Sequence, residues 1–219
     1  MIELYTWTTP AGCASRILLE ELALPHRVLP VNPAAAAQHR TAPHPGLHRL
    51  GYRMISPNET IPAIVDPDGP EGAPITVCEW GAIAIYLAEK AGRLLPAAGA
   101  ARYATLEWLT FQLSVVAPII AQADHFVNAE QEHRYAEERF GGEAARVYHA
   151  LDARLSSVDF LAGDFSVADI GTLPWVREPD LVDLELATYP NVARWIERLE
   201  SRAAVRAVLT AVPPGADEE

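Results

Sequence analysis

The sequence predicts an α/β amino-terminal domain joined to an all-α carboxyl-terminal domain, and three observations carry that expectation. Strand and helix periodicities alternate up to Gly92. No strand pattern follows the linker that begins near Leu94. Long amphipathic runs then start at Tyr103, Glu130, Ser166 and Asn191, as in a bundle of helices.

IELYT (2–6) alternates as a strand, and a Thr-Thr-Pro-Ala-Gly turn leads into CASRILLEELAL, whose apolar spacing suits a helix ending before Pro25. HRVLPV (26–31) is the second strand, completing a right-handed parallel unit. IPAIVD (61–66) and ITVCE (75–79) flank PDGPEGAP, a reversal that makes them an antiparallel hairpin. WGAIAIYLAEKAG (80–92) presents Ala82, Ile83, Tyr86 and Leu87 on one helical face, with Gly92 as its C-cap. In the second domain, Ser166 caps a helix, Asp169 answers at the third helical position, and Phe165 can staple onto Ile170. Pro118 and Pro174 fall inside helical patterns and are expected to kink them. The domains are therefore placed at 1–92, with an extended loop at 33–60, and at 102–211. A linker at 93–101 joins them, and a flexible acidic tail occupies 212–219.

Composition narrows the function. A net charge of -12 repels phosphate backbones, so nucleic acid is not an expected partner. No uninterrupted apolar window reaches the roughly 20 residues of a membrane helix, and IELY follows Met1 without a basic leader. No membrane association is expected, and a cytoplasmic location is. The two cysteines, Cys13 and Cys78, are far apart and suit free thiols in a reducing compartment, and on ligand count no structural zinc site is expected. Lys90 is the only lysine in the chain.

A parallel unit followed by a hairpin and a helix is a thioredoxin-like arrangement. Fused to an all-helical domain, it resembles a cytosolic glutathione transferase. The stretches NETIPAIVDPDGPEGAPITVCEWGAIAIYLAEKAG, SVADI and YAEERFGGEAARVYHALDARL resemble the bacterial nu class and the related yeast nitrogen-regulator domain, from residue 1 to about residue 200.

The resemblance assigns roles to residues. It implies a cis bond at Ile61-Pro62, so that the Ile61 backbone pairs with the cysteinyl part of glutathione. It implies that Gln38 contacts glutathione and that Glu79 lies at the glutamyl end, where a helix amino terminus and a serine hydroxyl receive a carboxylate. Trp80 stands in place of that serine, either filling the glutamyl pocket or turning away to the surface or a dimer contact. The thiol-activating loop reads Thr9-Pro10-Ala11-Gly12 where nu-class members have Thr-Pro-Asn-Gly. The Ala11 side chain cannot donate to the sulfur, and Thr9 remains available. Thr-Pro-Ala-Gly-Cys is also similar to the Ser-Pro-x-x-Cys of beta-class transferases, which makes Cys13, at a helix amino terminus beside Arg16, a second catalytic candidate against the reading of an inert thiol.

Three further features remain open at this stage. The segment 39–58, carrying His39, Arg40, His44, His48, Arg49 and Arg53, reads as an anion-binding lid or as a solvated loop. Tyr135 and Arg139 match a family pattern whose arginine points to the active-site cleft, against a surface pair of Arg139 with Glu138 or Glu143. Trp108, Phe111, Gln112, His125 and Phe126 read as core or as a hydrophobic acceptor pocket.

The resemblance implies an enzyme that uses glutathione or another low-molecular-weight thiol on a small electrophile, by addition, exchange or isomerisation, as a homodimer. Ala11 and Trp80 point to altered thiol specificity, or to a non-catalytic ligand-binding or partner-binding protein that keeps the fold.

Overall fold

β1 (Ile2–Thr6), α1 (Pro10–Leu22), β2 (His26–Pro30), β3 (Ala63–Asp66), β4 (Ile75–Cys78) and α2 (Trp80–Ala91) build a thioredoxin-like sheet in the order β2-β1-β3-β4. The structure is a computed structural model that describes residues 1–32 and 54–211. β1 pairs with β2 in parallel from Ile2↔His26 to Thr6↔Pro30, and with β3 antiparallel at Tyr5↔Ala63. β3 pairs with β4 antiparallel from Ala63↔Cys78 to Asp66↔Ile75. Alternation sends Leu4 and Ile64 to one face, where they are buried with Ile17 and Leu18 of α1 and Ile83 and Leu87 of α2. Tyr5 and Ala63 occupy the other face, packed with Leu29, Ile61, Val65 and Cys78.

The strands are shorter than the apolar pattern suggests. β3 starts at Ala63 because Pro62 brings no N–H to a ladder. The reversal between β3 and β4 contains a short turn at Pro70–Gly72, with Glu71 in the left-handed region at φ 60. Gly92, at φ 64, lets the chain leave α2.

Two compact units divide the chain: Met1–Ala91 with the residues from Arg206 onward, and Gly92–Val205. The second unit is helical: α3 (Gly99–Phe111), a π turn (Gln112–Val116), α4 (Ala117–Val127), α5 (Arg134–Leu155), α6 (Val167–Val176) and α7 (Pro190–Glu200), with α8 (Ala203–Leu209) crossing the boundary. α3 begins ahead of Tyr103, and α5 begins beyond Glu130. Pro118 sits at the start of α4, where the backbone leaves the π turn, so the irregularity expected of it takes that form. Pro174 lies within α6.

Taken together, α3, the π turn and α4 run 29 residues and are, by length and composition, long and apolar enough to cross a membrane, against the sequence reading. Their buried positions, Thr105, Leu109, Gln112, Val116, Ile120 and Ala123, belong to the helical unit, where α3 packs on α6 and α4 on α5. The ends of the helices are held across the unit. Asp152 of α5 accepts from the amides of Asn191 (2.8 Å) and Val192 (3.2 Å), capping α7, which has no side-chain cap of its own.

Candidate functional site

The pairing registers bring three of the anticipated residues to one end of the sheet. Ala63 lies opposite both Tyr5 and Cys78, so the next position outward sets Pro62 against Glu79, beside the end of β1 that leads to Thr9. The Ile61-Pro62 bond is cis, the isomer that the resemblance implies. Ile61 is half-buried and Pro62 buried.

Thr9 is the N-cap of α1, with extended backbone at φ -94 and ψ 159. Its Oγ1 accepts from the Gly12 amide at 3.2 Å, and a hydroxyl that accepts one bond still has its own proton to donate. Pro10 opens the helix at the one position where a missing N–H costs nothing. Helix α1 thus begins at Pro10, inside the stretch read from sequence as a turn, which alters the place of Cys13. The Cys13 amide already donates to the Thr9 carbonyl at 2.8 Å, inside the helical ladder, and the thiol is half-buried. The argument for ionisation at an open helix terminus therefore weakens for Cys13.

Gly12 was not singled out by sequence, yet it sets the geometry of this loop. A Cβ at that position would lie 2.1 Å from the Trp7 carbonyl oxygen and 2.5 Å from Thr6 Oγ1. Alanine normally gains about 1 kcal/mol over glycine inside a helix. Here the clash with backbone reverses the sign, and Gly12→Ala is expected to lose about 1–3 kcal/mol in urea denaturation.

Glu79 is exposed and sits in the left-handed region at φ 68, while its carbonyl accepts from the Ile83 amide (3.0 Å) as the first bond of α2. A non-glycine residue held there costs of order 1–3 kcal/mol, a kind of strain that clusters at ligand sites. Trp80 is 4 % exposed and starts the buried stripe that continues through Ala84, Leu87 and Ala88. The surface or dimer-contact alternative for its indole therefore does not hold, and the α2 amino terminus has no serine hydroxyl.

Arg139 lies in the helical unit. Its Nη1 donates to the Tyr135 hydroxyl at 3.4 Å, and its guanidinium stands 6.0 Å from the centre of the Phe140 ring. The surface pairs considered for it are made by others: Glu138 pairs with Arg134 (2.8 Å) and Glu143 with Arg146 (3.0 Å). The aromatic stripe divides. Trp108 and Phe111 meet edge to face at 5.4 Å, Gln112 is buried in the π turn, and Phe126 stacks on Phe140 at 5.5 Å with His125 and His133 against it. Phe140 and His133 had no periodic signal to mark them. Gln38, and His39 through Arg53 of the long loop, lie outside the described residues. Among the described residues no group of three or more His, Cys, Asp or Glu side chains gathers to hold a metal.

Chemically, the sheet end offers a hydroxyl donor, the backbone before a cis proline, and an exposed carboxylate at the start of a helix. Those groups suit a small zwitterionic or polar thiol.

Comparison with known proteins finds relatives that span most of the chain. Residues 111–203 match the family model described as "Glutathione S-transferase, C-terminal domain". The chain is 40 % identical over 207 residues to the disulfide-bond oxidoreductase YfcG of Escherichia coli K12, covering 93 % of this chain and 92 % of that protein. A glutathione transferase family member from Pseudomonas fluorescens, solved with two glutathione molecules bound, superimposes with a TM-score of 0.85 at 36 % identity, covering 95 % and 92 % of the two chains. Ure2p in complex with S-hexylglutathione superimposes with a TM-score of 0.82 at 27 % identity, covering 95 % and 97 %.

Proposed function

Because the chain belongs to the glutathione S-transferase family, in its nu-class and Ure2-like branch, we propose that it is a thiol-dependent oxidoreductase that reduces small disulfides at the expense of glutathione or a related thiol. The observation that carries this reading is the meeting of Thr9, the cis Ile61-Pro62 bond and Glu79 at one end of the sheet.

The Thr9 proton donates to the bound sulfur and favours thiolate, which attacks one sulfur of the substrate disulfide. That S–S bond breaks, a mixed disulfide forms, and the leaving thiolate takes a proton. A second thiol then attacks the mixed disulfide and releases the reduced substrate. Two thiols are oxidised to one disulfide as one disulfide is reduced. YfcG is named for disulfide-bond chemistry, and the Pseudomonas fluorescens protein holds two glutathione molecules. Ile61 and Gln38 would hold the cysteinyl part, and Glu79 with the start of α2 the glutamyl end. Other electrophiles that accept a thiolate belong to the same class. We place the enzyme in the cytoplasm as a homodimer.

Ala11 and Trp80 favour a second reading, a binding protein that keeps the fold without turnover. Calorimetry with glutathione and with other low-molecular-weight thiols, followed by a disulfide-reduction assay, separates the two. Saturable binding with turnover is expected; no binding at millimolar thiol sinks the enzyme. Cys13→Ser is expected to leave kcat/KM unchanged, and a loss of about 10²-fold would instead make Cys13 a nucleophile of the reaction.

A further inference from the structure

We propose that Lys90, acting with Asp66 and Tyr86, is a positioning clasp for the thiol site: it sets the direction in which α2 presents its amino terminus and Glu79 to the bound thiol. The inference rests on the thiol-site reading above.

Asp66 ends β3 at the far end of the sheet, and its side chain is 2 % exposed. Its Oδ2 accepts from the Tyr86 hydroxyl at 2.6 Å and from Lys90 Nζ at 2.9 Å, and its Oδ1 accepts from the Asp68 amide at 3.0 Å. Lys90 also donates to the Asp68 carbonyl, and Asp68 Oδ2 lies 4.0 Å away. Burial pushes the Asp66 carboxyl up, but the Tyr86 hydroxyl, the Asp68 amide and the Lys90 ammonium outweigh it and leave the group below the usual aspartate range. Burial and the Asp66 carboxylate both push the Tyr86 phenol up, so it stays a donor. The clasp thus sets the Asp66 carboxylate between the Tyr86 hydroxyl and the Lys90 amine.

Its placement turns a local contact into a lever. β3 runs from Ile61-Pro62 to Asp66, and α2 runs beside it from Glu79 to Lys90. At about 3.3 Å per strand residue and 1.5 Å per helical residue, the two paths are equal, roughly 16 Å each. They form the two arms of a frame. At the near end the ladder stops at Ala63↔Cys78, one residue short of Pro62 and Glu79, and a backbone ladder does not fix where a helix leaving through a left-handed residue points. The far end does, because Tyr86 and Lys90, four residues apart on one face, grip one carboxylate. The single lysine of a chain whose other cations are arginines stands where a compact ammonium must reach a buried oxygen and a carbonyl together.

Lys90→Met alone leaves a buried carboxylate without its cation and risks misfolding, so the deciding variant is Asp66→Asn with Lys90→Met, which removes both charges. With that variant folded, the thiol KM is expected to rise about tenfold, with kcat within about twofold of wild type. Lys90→Arg, which keeps the charge without the compact ammonium, is expected to fall between wild type and the double variant in thiol KM. Hydrogen exchange at the Ile83 amide, at the site end of α2, is expected to quicken relative to amides of α1. A folded double variant with wild-type KM, or one in which Ile83 and α1 amides quicken equally, overturns the clasp as a positioning device. If wild type shows no thiol binding, the thiol-site reading fails, and the exchange comparison still decides whether Lys90 aims α2.

Discussion

Asp169→Ala is expected to destabilise the protein by about 3 kcal/mol at pH 7 and by about twice that at pH 4, the largest stability effect of any single substitution considered. The carboxylate is buried and accepts four bonds: Oδ1 from the Leu161 amide and the Trp195 indole (2.9 Å each), and Oδ2 from the Ser166 amide (3.0 Å) and hydroxyl (3.2 Å). It therefore ties α6 to α7 and to the segment before α6. Alanine leaves three N–H donors buried without acceptors, at about 2 kcal/mol each. Against this stands the cost of the charge itself. Burial pushes Asp169 up from 3.8 to about 6, with the bonds from Leu161, Trp195 and Ser166 opposing. A folded value above the unfolded one means that this group's stabilisation is complete below about pH 4 and is lost as pH rises through about 6. At pH 7 the loss amounts to about 3 kcal/mol, at 1.36 kcal/mol per unit. Denaturation of wild type and Asp169→Ala at the two pH values checks both numbers, since the acidic shifts of Glu3 and Asp66 cancel in the difference. A gap between the proteins that is the same at pH 4 and pH 7 would show that Asp169 stays ionised when folded.

That residue was legible in advance because its signal is local. Ser166 and Asp169 are three apart, and a capping box depends on nothing outside one turn. The order of strands and helices was legible for a similar reason, since period and turn residues are written into each short stretch. Cys13 was misplaced because Pro10 carries two meanings, turn and first helical residue, and the nearby glycine favoured the turn. The left-handed backbone of Glu79 has no mark at all, because glutamate does not announce a conformation that glycine would. Asp66 and Lys90 lie on different elements, as do Asp152 and Asn191, so their pairings exist only once the chain is folded. The cis bond at Ile61-Pro62 came from resemblance, since nothing in the residues flanking a proline fixes its isomer.

For activity, Thr9→Val is expected to lower kcat/KM for disulfide reduction by about 10²-fold, the scale of removing one preorganised donor from a developing charge. Valine keeps the shape of threonine and discards both of its roles, accepting from the Gly12 amide and donating to a ligand. The cap alone is worth about 1 kcal/mol, so the protein should remain folded and the loss should lie in the chemistry. With Ala11 unable to share the task, no second side chain of the loop compensates. A donor to a thiolate lowers the thiol's pKa, so its removal raises that pKa, and the pH–rate curve of Thr9→Val should move to higher pH and recover part of the rate there. Thr9→Ser keeps both roles and is expected to behave as wild type. If valine and serine at this position give the same rate and the same pH profile, the hydroxyl does not activate sulfur. Catalysis would then have to pass to the Ala11 amide at the start of α1, a donor that no side-chain substitution removes.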